Sequence, residues 1–137
     1  CFSDNTHNSD YYDVIGIENV YLGRYTRIDG TTVAGASVSD LVKAKSSDID
    51  DRVRKALAVT NARMTALKVR AETIEAYDQM IGEGNKEGNA VVESVIEALI
   101  AQTREFERAI AALELKSIEF EGSNSLDDPD KALRGKK

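Results

Sequence analysis

Hydrophobic positions recur along this chain at helical rather than strand spacing. In "NSDYYDVIGIENVYLG", Val14, Ile17 and Tyr21 fall at i, i+3 and i+7, the mark of a helix with one apolar face. Asn8 or Ser9 is placed to cap that helix, with Asp10 in its first turn and Gly23 as its stop. Gly16 lies inside the helix, where it costs about 1 kcal/mol relative to alanine. A close helix neighbour at that point would explain it. In "RYTRIDGTTVAG" the character changes: Tyr25, Ile28, Val33 and several threonines flank Asp29-Gly30, a tight-turn dipeptide. A short hairpin or ordered loop is expected there, lying on the helices because a lone hairpin is marginal.

Ser37 followed by Asp40 resembles a capping box and opens a short helix over "SVSDLVKAK". Ser46 or Ser47 caps a longer one, with a stripe of Ile49, Val53, Ala56, Thr60, Met64 and Leu67. A break is expected near Lys68 to Thr73, then a short helix ending before Gly82, with "GEGNKEGN" as a loop. The clearest element follows. Val92, Ile96, Leu99, Thr103, Phe106, Ile110 and Leu113 form a seam of alternating four- and three-residue steps, a heptad pattern. Glu93, Glu97, Arg104, Glu105 and Arg108 take the other side. Such a seam, beside the Ile49–Leu67 stripe, predicts the core of an antiparallel helical bundle rather than an oligomeric coiled coil. The fold class is therefore all-α. The bundle is expected over residues 1–120, with Ile118 and Phe120 tucked onto it and a polar, mobile tail over 121–137.

Size and composition change this picture little. The 137 residues suffice for one domain with a core. The net charge of −6, with no basic run longer than two residues, argues against nucleic acid and anionic membrane as partners. No apolar run approaches the roughly 18 residues of a membrane helix. No signal peptide is visible, yet the chain begins at Cys rather than Met, so a leader removed upstream is compatible with it.

Candidate chemistry is concentrated at the start. The only cysteine, Cys1, the only histidine, His7, and four of the five tyrosines (Tyr11, Tyr12, Tyr21, Tyr25) fall in the first 25 residues. His7 precedes Asp10 by three, a spacing that suits two ligands of one metal or a histidine oriented by a carboxylate. Against it stands the bland reading, a hydrogen-bonded histidine beside a cap. Two ligands are too few for tight binding and need others from elsewhere. Cys1 has three readings: an inert packed thiol, a lipid-bearing first residue, or a ligand or nucleophile without an activating neighbour. The tyrosines can line a pocket or stand half-buried with wet hydroxyls. Arg24 and Arg27 can hold an anion or pair with nearby carboxylates. There is no Gly-rich phosphate loop, H-E-x-x-H, CxxC or nucleophile elbow.

"CFSDNTH", followed by "YYDVIGIENVYLGRYTRIDGTTVAGASVSDLV", resembles the imelysin family, the peptidase M75 group, and especially its iron-regulated protein A branch. The likeness is most specific over Cys1 to Val42. It continues more loosely through "DIDDRVRKAL", "YDQMI" and the last helix, and corresponds to the C-terminal half of a family member. The resemblance implies two helical, bundle-like halves with a site between them, in an exported protein, periplasmic or surface-attached, linked to iron acquisition. Some members are classed as metallopeptidases. The family's G-x-H-x-x-E signature belongs to the first half and is absent here. By position, Ser3, Asp4, Asn5 and His7 look like this half's contribution to the site, with Glu18, Tyr21 and Arg24 from the helix that follows. His7 with Asp4 or Asp10 would be the metal ligands, for iron or zinc. The partner would be an N-terminal half of the same protein or a separate chain. A metallopeptidase and a non-catalytic helical interaction domain are the alternatives.

Overall fold

A computed structural model describes residues 4–115, and the expected tail and the tucking of Ile118 and Phe120 lie outside them. Five helices and one two-stranded hairpin follow in the order α1 (Thr6–Leu22), β1 (Arg24–Thr26), β2 (Thr32–Ala34), α2 (Val38–Lys45), α3 (Ser47–Thr73), α4 (Tyr77–Met80) and α5 (Lys86–Ala112). The all-α expectation holds.

The direction of the long helices is written in their polar ties. Arg52, early in α3, pairs with Glu105, late in α5, while Arg70, late in α3, pairs with Glu87, early in α5. The two helices are therefore antiparallel. Likewise Tyr21, late in α1, bonds Asp50, early in α3, and Lys68 sits over the Tyr11 ring. Helix α3 is thus central, with α1 and α5 both antiparallel to it. Direct contact between α1 and α5 is slight by comparison; the Tyr21 and Phe106 rings meet edge-on at 5.6 Å.

Two buried clusters hold this layer. Val14, Met64, Leu67, Met80 and Val95 form one; Tyr21, Val42, Val53, Leu57 and Ala109 form the other. Full burial of side chains such as Leu57 contributes about 1.5–3 kcal/mol each.

Several local expectations change. Helix α1 begins at Thr6 with Asn5 at its N-cap, so neither Asn8 nor Ser9 caps it, and no side chain does. The Asn5 carbonyl already accepts from the Asn8 and Ser9 amides, which draws both residues into the first turn. Gly16 has no helix neighbour: a Cβ there would meet nothing within 4 Å. Helix α3 runs unbroken through Lys68–Thr73, because its ladder continues to the Ile74 amide, which bonds the Arg70 carbonyl. The break comes at Ile74–Ala76. Lys86 already opens α5, with Asn85 accepting from the Gly88 amide, so only the first part of "GEGNKEGN" is loop.

The caps at Ser37 and Ser46 are as expected: each side chain accepts from the amide three residues on, Asp40 and Ile49 respectively. The hairpin pairs Arg24 with Ala34, Tyr25 with Val33 and Thr26 with Thr32. Gly30 takes φ +82°, and the Asp29 carboxylate accepts from both the amide and the hydroxyl of Thr31. The strands do not lie on the helices as expected. Every strand residue is exposed, and the ribbon is held at its base, where the Gly35 amide bonds the Gly23 carbonyl.

The largest correction concerns α5. Its buried positions are Gly88, Val95, Ala98, Gln102 and Ala109, not the expected seam. Val92, Leu99, Thr103, Phe106, Ile110 and Leu113 are half-buried and Ile96 is exposed. Small side chains let α5 approach α3 closely, and the bulkier seam is left turned toward the space between α5 and α1.

Candidate functional site

The residues proposed from sequence separate into two groups along α1. Asp4, Asn5, His7 and Asp10 stand at its N-terminal end; Ser3 lies outside the described residues. Tyr21 is fourteen residues further along the helix than His7, a rise of about 21 Å. Glu18 and Arg24 belong to Tyr21's end. No single site draws on both groups within the described chain.

At the N-terminal end, Asp4 is exposed and adopts φ +45°. His7 is buried, 8% exposed. The Asn8 side-chain amide lies 3.2 Å from His7 Nε2 and donates to Asn5 Oδ1 at 2.8 Å. In that arrangement Nε2 accepts, so the ring proton sits on Nδ1. Nδ1 is buried and has no hydrogen-bond partner among the described residues. An orphaned ring nitrogen in a buried position calls for a group from outside the described residues. Turning the Asn5 and Asn8 amides over reverses the relay: Nε2–H then donates to Asn8, and Nδ1 presents a lone pair. The same ring can therefore serve as a donor to an anion or as a metal ligand.

Asp10, one turn along, is half-buried. Burial, with the charge of Asp13 beside it, raises its pKa above the ordinary carboxylate value. The pKa of the Tyr77 phenol on α4 is raised by its own burial and then by the charge of Asp10. A metal implied by the family resemblance fits this end only in part. His7 offers one uncommitted nitrogen, yet among the described residues no three His, Cys, Asp or Glu side chains are grouped to hold a metal ion.

The other group is structural. The Tyr21 hydroxyl donates to Asp50 inside the core, and Ser39 donates to the same oxygen at 2.6 Å. Glu18 accepts from the Asn61 side chain and lies 3.8 Å from Arg24. The Tyr21 hydroxyl is committed to the core, and Glu18 commits one carboxylate oxygen to Asn61. No one pocket takes all four tyrosines: Tyr11 packs beside Lys68, Tyr21 is in the core, and Tyr12 and Tyr25 line a depression beside the hairpin.

Sequence reasoning missed Asn8, which it read as a cap and which instead sets the state of His7. It missed Asp50 as well. The buried positions of α3 are Asp50, Val53, Leu57, Thr60, Met64 and Leu67, in steps of three and four. An apolar-only reading passes over a carboxylate at the head of that series, though its spacing was visible.

No described helix is long and apolar enough to cross a membrane. The family model of imelysin, peptidase M75, matches residues 1–106. No curated protein matches the chain. A match over that much of the sequence places the chain in the imelysin family.

Proposed function

Proceeding from that membership, we propose that the chain is one half of an imelysin-like, exported protein associated with iron uptake. Its N-terminal end would be half of a metal- or ligand-binding site completed by a second body. The observation that carries this reading is His7 Nδ1, buried and without a partner among the described residues. Most buried polar side-chain atoms are paired inside their own fold, and an imidazole nitrogen left open is one that a second body can engage. The completing body would be the N-terminal half of the same protein or a partner chain, and the family resemblance supports a periplasmic or cell-surface location.

His7 would supply an imidazole, Asn5 and Asn8 would hold its tautomer, and Asp4 and Asp10 are the carboxylates near enough in sequence to join it. Nitrogen and oxygen donors together suit iron or zinc. A divalent metal there would supply Lewis acidity to whatever the second body presents. A metallopeptidase needs in addition an open metal position and a general base. The chain offers one histidine and no G-x-H-x-x-E, so the binding role is the better supported of the two.

Titration calorimetry of Zn(II) and Fe(II) into the chain tests the reading. Weak binding is expected for the wild type, and its loss in His7→Ala and His7→Gln, each checked for fold by circular dichroism. Equal binding by all three proteins removes His7 from the site.

A further inference from the structure

The space between α1 and α5 is an apolar groove along the three-helix layer. Its wall on α5 is the heptad seam, from Val92 to Ile110, which spans about 27 Å of helix. On α1, Ile17 and Val20 are 40% and 73% exposed, and Ile96 of α5 is 46% exposed. Buried side chains of the core, Val14, Met64 and Val95, form part of the floor. Single exposed apolar residues are ordinary; a continuous stripe on two facing helices marks a docking surface.

Charge on the rim selects the occupant. Asp10 and Asp13 line one end and Glu107 the other, and no lysine or arginine is among the described residues lining the groove. Among the described residues, no cation lines the groove beside these three carboxylates. A second copy of this chain would bring the same negative rim to the contact. A helix with basic flanks would relieve it.

We propose that the groove between α1 and α5 seats an amphipathic helix of a partner, with an apolar stripe at i, i+3, i+4 and i+7 flanked by lysine or arginine. Helix-in-groove recognition uses this spacing of anchors, here set into the Val92–Ile110 wall. The length of that wall accommodates about 18 residues of partner helix. The proposal stands on the groove alone and does not depend on a metal at His7.

A fluorescein-labelled helical peptide of about that length, with leucine at the heptad a and d positions and lysine at e and g, is the probe. Its twin carries glutamate at e and g. Anisotropy titrations with the full 137-residue chain are run at low and at physiological salt. The lysine peptide is expected to bind about tenfold or more tightly than the glutamate twin, with an affinity that falls with salt. Ile96→Glu, at an exposed position where folding is retained, is expected to weaken binding about tenfold. The pair Asp13→Asn and Glu107→Gln is expected to remove most of the preference for lysine. Equal binding of the two peptides overturns the proposal. So does absence of binding by a chain that circular dichroism shows to be folded, whether residues 116–137 or nothing occupies the groove. A dimer in sedimentation equilibrium that Ile96→Glu dissolves would assign the groove to a second copy instead.

Discussion

The Tyr21 hydroxyl reaches across from α1 to donate a 2.8 Å hydrogen bond to Asp50 Oδ1 on α3. Asp50 is 1% exposed, and its other neighbours are the Ser39 hydroxyl and the Arg54 guanidinium, 3.7 Å away. A buried carboxylate is tolerable only while such donors surround it. Tyr21→Phe keeps the ring against Phe106 but removes one donor, and is expected to cost about 1–3 kcal/mol in urea unfolding. Tyr21→Ala also empties the core and is expected to cost about 3–5 kcal/mol. The pH dependence follows from the phenol. Burial, then the bond to Asp50, raises the Tyr21 pKa well above its ordinary value. Stability from this group is fully present below the ordinary tyrosine pKa of about 10 and is lost as pH rises beyond it. Wild type should therefore unfold more readily in alkali than its neutral stability suggests, and Tyr21→Phe should flatten that alkaline limb. An unchanged limb would show that Tyr21 does not govern it.

Two glycines in helices make opposite predictions. A Cβ on Gly88 would lie 2.6 Å from Met80 Cα and 2.7 Å from the Met80 carbonyl oxygen. Both are backbone atoms, so α4 would have to move off α5. Gly88→Ala is expected to destabilise by about 1–3 kcal/mol despite its better helix propensity. Gly16→Ala meets nothing within 4 Å and is expected to stabilise by about 1 kcal/mol. Thermal midpoints of the two variants should move in opposite directions, and a shift of the same sign in both would contradict the close α4–α5 contact.

Helix content, caps and the hairpin turn were legible in the sequence because each depends on neighbours a few residues apart. Ser37 and Ser46 cap by bonds that span three residues, and Asp29-Gly30 turns the chain through its own side chain and φ. What was not legible was which face of α5 is buried. Large apolar residues at Val92, Leu99 and Phe106 outweigh Ala98 and Ala109 in any hydrophobic count. Close helix packing prefers the small residues, and so α5 turned its weaker-looking face to α3. The sequence shows that a seam exists; only the third dimension shows that the described helices cover it in part. His7 was legible as chemically unusual. Its burial and its orphaned nitrogen were not, because they depend on α1 starting at Thr6, about one turn earlier than an Asn8 or Ser9 cap would place it.

Acid sensitivity should be concentrated at the polar ties that align α5 with its neighbours. Arg52 grips Glu105 through two of its nitrogens, Nε to Oε2 at 2.9 Å and Nη2 to Oε1 at 3.0 Å, and Arg108 lies 3.8 Å away. The Arg52 hydrogen bonds, more than any other influence, lower the Glu105 pKa below the usual carboxylate range. At the opposite corner Arg70 and Asn85 lower that of Glu75 in the same way. A depressed carboxylate pKa contributes stability that is present above the unfolded value, about 4.3, and is lost as pH falls through the folded value. Urea midpoints measured from about pH 6 down to about pH 3 should therefore fall in the wild type. Glu105→Gln should show a shallower fall, and Arg52→Gln the same shallowing, because each removes the same pair. Adding the second substitution to the first should change the slope little. If the two effects instead add in full, Glu105 and Arg52 act on separate partners and the tie between α3 and α5 is not the source of the acid response.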